Sequence, residues 1–173
     1  MRKIMLFMVT LMLVLMSSCG KSESQFDKEL KKAYAVMEKT RFSSALMCDK
    51  ISSTWNKAIF DNRTPSGKYC SDFNDALTEL FDNFSESGIT DSIKNWNNEM
   101  QKLTSQMNDA PHSRKDCYND FVNIISEVSS FSRMATNPSG NLRSYNEQTN
   151  STYENISKMI DQFKIKYGDF LKD

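Results

Sequence analysis

Apolar residues recur at spacings of three and four along most of the chain, and this spacing constrains the fold more than any other sequence feature. In the first such stretch the recurring positions are Leu30, Ala33, Met37, Ser44, Met47, Ile51, Trp55 and Ala58, with one skip at Thr40 and with serine as the one polar member. Positions three and four apart lie on one face of an α-helix, so the stretch predicts one long helix with a buried side. No stretch alternates with period two for long, and the 173 residues include only five glycines and three prolines. The sequence therefore predicts an all-α protein with short turns.

Four breaks divide the periodic pattern into helices, and we expect turns near residues 61–65, 88–90, 108–113 and 137–139. Each break contains a helix stop or start signal, such as a capping residue before proline or a glycine after the last apolar position. Thr64-Pro65 is predicted to begin the second helix, and Gly88 to end it in a left-handed conformation. Short turns make successive helices antiparallel neighbours. The expected architecture is an up-and-down bundle of four to five helices.

The first residues of the chain have the organisation of an export signal. Arg2 and Lys3 precede an apolar run over residues 4–16, which one threonine interrupts. The run is shorter than the ~20 residues that a membrane-spanning helix needs, and its length suits the apolar core of a secretory signal. It is followed by two serines and Cys19.

The tetrapeptide Met16–Cys19 resembles a bacterial lipobox, although Met16 stands where that motif usually has leucine. The resemblance implies that residues 1–18 are a lipoprotein signal peptide and that Cys19 is lipidated. It implies two or three acyl chains, such as palmitate, and two or more chains hold a protein stably on a membrane. Gly20 follows the cysteine in place of aspartate, which favours the outer membrane if the cell is Gram-negative. An ordinary secretory signal or an uncleaved anchor helix are the alternative interpretations.

The rest of the chain is expected to form a polar, lipidated tether over residues 19–25 and one helical bundle domain over residues 26–173. Roughly 155 residues after the signal suit a single domain. Removing residues 1–18 takes away two basic residues and no acid, which leaves 20 basic and 22 acidic residues. A nucleic-acid-binding protein is usually strongly basic, so this charge argues against nucleic acid as a partner.

The sequence contains no recognisable catalytic, metal or cofactor motif. Its one histidine, His112, lies in a predicted turn, five residues before Cys117. Nucleophilic catalysis needs the histidine to be oriented by a further group, and a zinc site needs three or four ligands. The chain also lacks a glycine-rich phosphate loop and a Cys-x-x-Cys pair. We therefore expect no catalysis and no cofactor.

If Cys19 is acylated, Cys48, Cys70 and Cys117 remain in an exported and oxidising compartment. In an up-and-down bundle with a rise of ~1.5 Å per residue, Cys70 and Cys117 are expected near the same end. Cys48 lies about a dozen residues below the first turn, roughly 18 Å away along the helix. The prediction is a Cys70–Cys117 disulfide, with Cys48 as a buried free thiol.

Two functions remain open at this point. One is a lipid-anchored module of the cell envelope that binds a partner protein, as the anchor and the absence of catalytic motifs suggest. The alternative is a carrier that holds an apolar or aromatic ligand between the helices, as the 11% aromatic content suggests. A deep apolar pocket would favour the carrier.

Overall fold

The computed structural model describes residues 21–172, and these residues form a bundle of five α-helices. Two short 3-10 turns, His112–Arg114 and Gly168–Leu171, accompany the helices. Within the described range no β-strand is present, only an isolated bridge between Arg63 and Tyr69. The predicted all-α bundle is confirmed. The helices are α1 Glu23–Phe60, α2 Phe73–Glu86, α3 Ile89–Gln106, α4 Lys115–Thr136 and α5 Leu142–Tyr167.

Helix α1 is the central element, because each of the other four helices packs against it. Its 38 residues extend over about 57 Å at ~1.5 Å per residue. It begins at the N-cap Ser22, whose side chain accepts a hydrogen bond from the Gln25 amide. Fully buried side chains follow one another along its inner face, including Phe26, Leu30, Met37, Met47 and Ile51. Burying each of the large ones contributes ~1.5–3 kcal/mol, so this face contributes much of the stability.

Helices α2 and α3 follow one another along α1 instead of forming an antiparallel hairpin. At the start of α2, Phe73 stacks on Trp55 near the C-terminal end of α1, with ring centroids 5.7 Å apart. At the end of α3, the Gln106 carbonyl accepts a hydrogen bond from Lys21, at the N-terminal end of α1. Between the two helices Gly88 has a φ of 70°, the left-handed conformation predicted for it. Together α2 and α3 therefore span the length that α1 spans alone.

Helices α4 and α5 complete the bundle as two antiparallel elements. Asn97 and Gln101 of α3 are hydrogen-bonded to Ser132 and Ser129 of α4, and this order shows that the two helices run in opposite directions. Helix α5 returns beside both α4 and α1. The bundle therefore has four helical positions side by side, and α2 and α3 occupy one of them in succession.

The loop before α2 is longer than the sequence pattern predicted. Thr64-Pro65 does not start the helix, since α2 begins at Phe73 with Asp72 as its N-cap. The residues between them form an ordered turn in which the Thr64 amide donates to the Lys68 carbonyl over 2.9 Å. The carboxylate of Glu79 accepts hydrogen bonds from the amide and the hydroxyl of Ser66. These hydrogen bonds satisfy the backbone amides of Thr64 and Ser66, so no helical turn is needed there.

The cap of α5 also differs from the prediction. The helix begins after Asn141, which forms a capping box with Ser144, and not at Asn137-Pro138. Both side-chain to backbone bonds of the box are present, so two amides at the start of the helix are satisfied.

The expected tether over residues 19–25 is shorter in the structure, because residues 23–25 already belong to α1. Lys21 is held in place by the carboxylates of Glu29 and Asp109 as well as by the Gln106 carbonyl. Its side chain is only 7% exposed. The bundle therefore fixes the chain two residues after Cys19, which itself lies outside the described residues.

Candidate interaction surface

The predicted Cys70–Cys117 disulfide is wrong, since Cys48, Cys70 and Cys117 are all free and buried. The Cys70 amide donates to the Asn62 carbonyl, at the C-terminal end of α1. Cys117 lies in the first turn of α4, next to Arg114, which pairs with Asp27 near the N-terminal end of α1. At ~1.5 Å per residue those two places on α1 are about 50 Å apart. A disulfide tolerates only ~4.4–6.8 Å between Cα atoms.

The error came from the direction assigned to α3. A helix that returned beside α2 would have brought the start of α4 to the end of the bundle where Cys70 lies. In the structure α3 continues away from Cys70, so Cys117 lies at the other end. The expectation of a buried free thiol at Cys48 is confirmed.

Burial also raises the pKa of two of the thiols. It raises the pKa of Cys48 to about 11, against the opposing hydrogen bond with Tyr145. It raises the pKa of Cys117 to about 12, and the nearby Asp27 carboxylate adds to this shift. Both thiols are therefore protonated near neutral pH, where the thiolate would be the nucleophile. His112 is exposed in the 3-10 turn before α4.

We expect the native protein to resist thiol modification at pH 8 and to react fully once unfolded. Without reductant, a maleimide should label almost none of Cys48, Cys70 and Cys117 in the native state, because all three are buried. In urea it should label all three, as counted by mass spectrometry. Labelling of Cys48 alone after unfolding would show that the other two are bonded to each other and would contradict the structure.

Within residues 21–172 no group of three or more His, Cys, Asp or Glu side chains is arranged to hold a metal ion. None of the helices described is both long enough and apolar enough to cross a membrane.

Much of the aromatic content is packed inside the bundle. The rings of Tyr34, Phe121 and Phe163 contact one another, with centroids 5.6–6.5 Å apart. These rings stabilise the core of the bundle.

A polar groove lies between α4 and α5. It has a volume of about 340 Å³ and includes Asp120, Gln162 and Lys166 in its lining. The Asp120 carboxylate accepts a 2.7 Å hydrogen bond from the Tyr167 hydroxyl and a 3.0 Å bond from Lys166. Although partial burial acts in the opposite direction, these two bonds lower the pKa of Asp120. The carboxylate therefore stays ionised, and Lys166 balances its charge.

A second groove, between α1 and α5, is bordered by exposed apolar side chains. Phe42 is 60% exposed and Leu46 is 49% exposed, one helical turn apart on α1. On α5, Tyr153 is 37% exposed, and its ring lies 5.3 Å from the guanidinium carbon of Arg41. The groove has a volume of about 230 Å³, and Cys48 contributes to its lining. We refer to Phe42, Leu46, Tyr153 and the groove between them as the α1–α5 surface.

Another set of exposed apolar residues lies at the C-terminal end of α1 and in the loop after it. The set consists of Ile59, Phe60, Tyr69 and Phe73. Phe73 packs its ring on Trp55, while Phe60 and Tyr69 are about 70% exposed and about 72% exposed. Exposed aromatic residues are common at protein interfaces.

The α1–α5 surface was not found from the sequence. Phe42 and Leu46 lie between the positions of the core stripe, so the periodic pattern passes over them. The available signal was an apolar pair four residues apart on the polar side of a predicted helix. An exposed apolar pair that borders a groove forms a contiguous apolar patch, and such patches mark interaction sites.

Comparison of the chain with protein-family models, with curated proteins and with solved structures finds no match.

Proposed function

We propose that the protein is a lipid-anchored helical bundle of a bacterial cell envelope that binds a protein through the α1–α5 surface. The observation on which the proposal rests is the exposure of Phe42 and Leu46 beside a groove on the outside of the bundle. Apolar and aromatic anchors next to a pocket are typical of the energetic centre of an interface. In a Gram-negative cell the outer membrane would be the site of the anchor.

The anchor is supported by the lipobox resemblance of Met16–Cys19, and the contacts of Lys21 fix where the bundle begins relative to it. Two extended residues span at most ~7 Å, so a lipid on Cys19 would hold the bundle directly at the membrane surface. Such close attachment restricts the orientation of the bundle and raises the local concentration of other proteins in the same membrane.

A binding module explains the surface better than a carrier does. A carrier buries its ligand in a concave and largely apolar site. Both grooves described above lie between helices at the surface, and the rings of Tyr34, Phe121 and Phe163 occupy the interior. The apolar groups that lack contacts are therefore on the outside of the bundle, where a protein partner can cover them.

The proposal is tested with a photo-cross-linking amino acid placed at Leu46 in the full-length chain, in intact cells. Irradiation should give a specific adduct, which mass spectrometry identifies, because Leu46 is at the centre of the proposed interface. The matched control places the same group at Ile165, an apolar residue on α5 that is 87% exposed. The absence of an adduct from Leu46, or equal adducts from both positions, would reject the proposal.

A further inference from the structure

We propose that the protein bound at the α1–α5 surface is a second copy of this chain, with the two α1 helices packed antiparallel. This inference rests on the proposed function, since it names the partner of the same surface. The order of residues along the exposed side of α1 favours a second copy as the partner.

The exposed side of α1 has a regular stripe of ten residues at alternating spacings of four and three. The stripe consists of Lys28, Lys32, Ala35, Lys39, Phe42, Leu46, Asp49, Ser53, Asn56 and Phe60, all of which are exposed. This spacing is the one at which two helices pack along a shared seam. The apolar pair Phe42 and Leu46 lies at the middle of the stripe, with polar residues on both sides.

Two of the four pairs that flank the middle of the stripe are complementary in an antiparallel arrangement. An antiparallel pair with its two-fold axis near residue 44 places Phe42 of one copy against Leu46 of the other. The same register places Lys39 against Asp49 of the other copy, and Lys28 against the ring of Phe60. These are an ion pair and a cation–π contact, and the two-fold axis produces each of them twice.

A parallel pair of α1 helices lacks this complementarity. It places Lys39 against Lys39 and Asp49 against Asp49, and like charges at a helix interface are unfavourable. Within residues 21–172 neither Lys39 nor Asp49 takes part in an ion pair. About 15 Å of helix separates the two residues, so they are too far apart to satisfy each other within one copy.

The groove beside the stripe provides room for a side chain of the second copy. It lies between α1 and α5 and includes Ala45, Asp49 and Asn150 in its lining. An apolar side chain from the partner can enter this groove as a knob between the two helices.

Antiparallel packing also puts the two Lys21 ends at opposite ends of the dimer. Both lipid anchors then reach one membrane when α1 lies along the membrane surface.

The test is sedimentation equilibrium of the full-length protein in density-matched detergent micelles. The wild type should dimerise. Lys39→Glu places a carboxylate against Asp49, and Asp49→Lys places an ammonium against Lys39. The dissociation constant of the dimer should therefore rise about tenfold or more in each variant. The double variant Lys39→Glu/Asp49→Lys restores opposite charges and should dimerise like the wild type. An equimolar mixture of the two single variants should also associate.

The matched control is Lys94→Glu, the same charge reversal at an exposed residue of α3, and it should dimerise like the wild type. Circular dichroism should show the same helix content for all variants, since none of these residues is buried. Parallel packing predicts equal affinities for the wild type and both single variants, and that result would overturn the inference.

The outcome also separates this inference from the proposed function. A monomeric wild type, together with a photo-adduct from Leu46 to a different protein, would overturn self-association and leave the binding function standing. A monomeric wild type with no adduct from Leu46 would overturn both.

Discussion

Replacing Cys19 with alanine is expected to abolish lipid attachment and to leave an unprocessed precursor that retains residues 1–18. In the proposed anchor, the thiol of Cys19 is the group to which diacylglyceryl is attached, and cleavage follows that attachment. Metabolic labelling with a palmitate analogue should fall from strong to undetectable. Intact mass spectrometry should show a heavier polypeptide without acyl chains.

The control for this experiment is Cys70→Ala, which removes a different cysteine that is buried and free in the bundle. That variant should be labelled and processed like the wild type. The anchor interpretation would fail if the wild-type protein began at another residue with an unmodified N-terminus. It would also fail if the Cys19 variant still incorporated the label.

Replacing Phe121 with alanine is expected to lower the free energy of unfolding by about 3–5 kcal/mol. Phe121 is fully buried in the core, and its ring packs between Tyr34 and Phe163, with centroids 6.5 Å and 5.6 Å away. Truncation removes these contacts and leaves a cavity between α1, α4 and α5. Since a domain is typically stable by only ~5–15 kcal/mol, the variant should be close to unfolding. Urea titration followed by far-ultraviolet circular dichroism measures the change.

The control is Tyr69→Ala, which removes an aromatic ring that is 72% exposed in the loop after α1. It should change the free energy of unfolding by less than ~0.5 kcal/mol, as surface substitutions usually do. If Phe121→Ala and Tyr69→Ala had similar effects, the core packing described here would be incorrect. Both titrations should use the same protein concentration, because self-association adds to the apparent stability.

The helices and the core could be predicted from the sequence because both depend on local spacing. Residues three and four apart share a face whatever the rest of the chain does. Leu30, Met37 and Ile51 were predicted on the buried face of the first helix, and all three are fully buried. Gly88 was correctly placed at a left-handed position, since glycine is favoured there by sterics alone.

Some helix starts could not be predicted, because capping signals compete with tertiary contacts. Thr64-Pro65 has a good local start signal, yet Ser66 is held instead by Glu79 of α2. That hydrogen bond joins residues from two elements, and no local pattern reveals it. The same limit applies to Lys21, which local polarity assigned to a tether and which the bundle holds through Glu29 and Asp109.

The sequence by itself determined the helical class, the approximate places where the helices break and most of the buried face of α1, because these follow from short-range periodicity. Tertiary structure alone decided that α3 continues along α1 instead of returning beside α2. That choice depends on packing between residues far apart in the chain, and it separates Cys70 from Cys117. It also decided which side of α1 lacks a covering helix. Phe42 and Leu46 are exposed because α5 leaves a groove beside them.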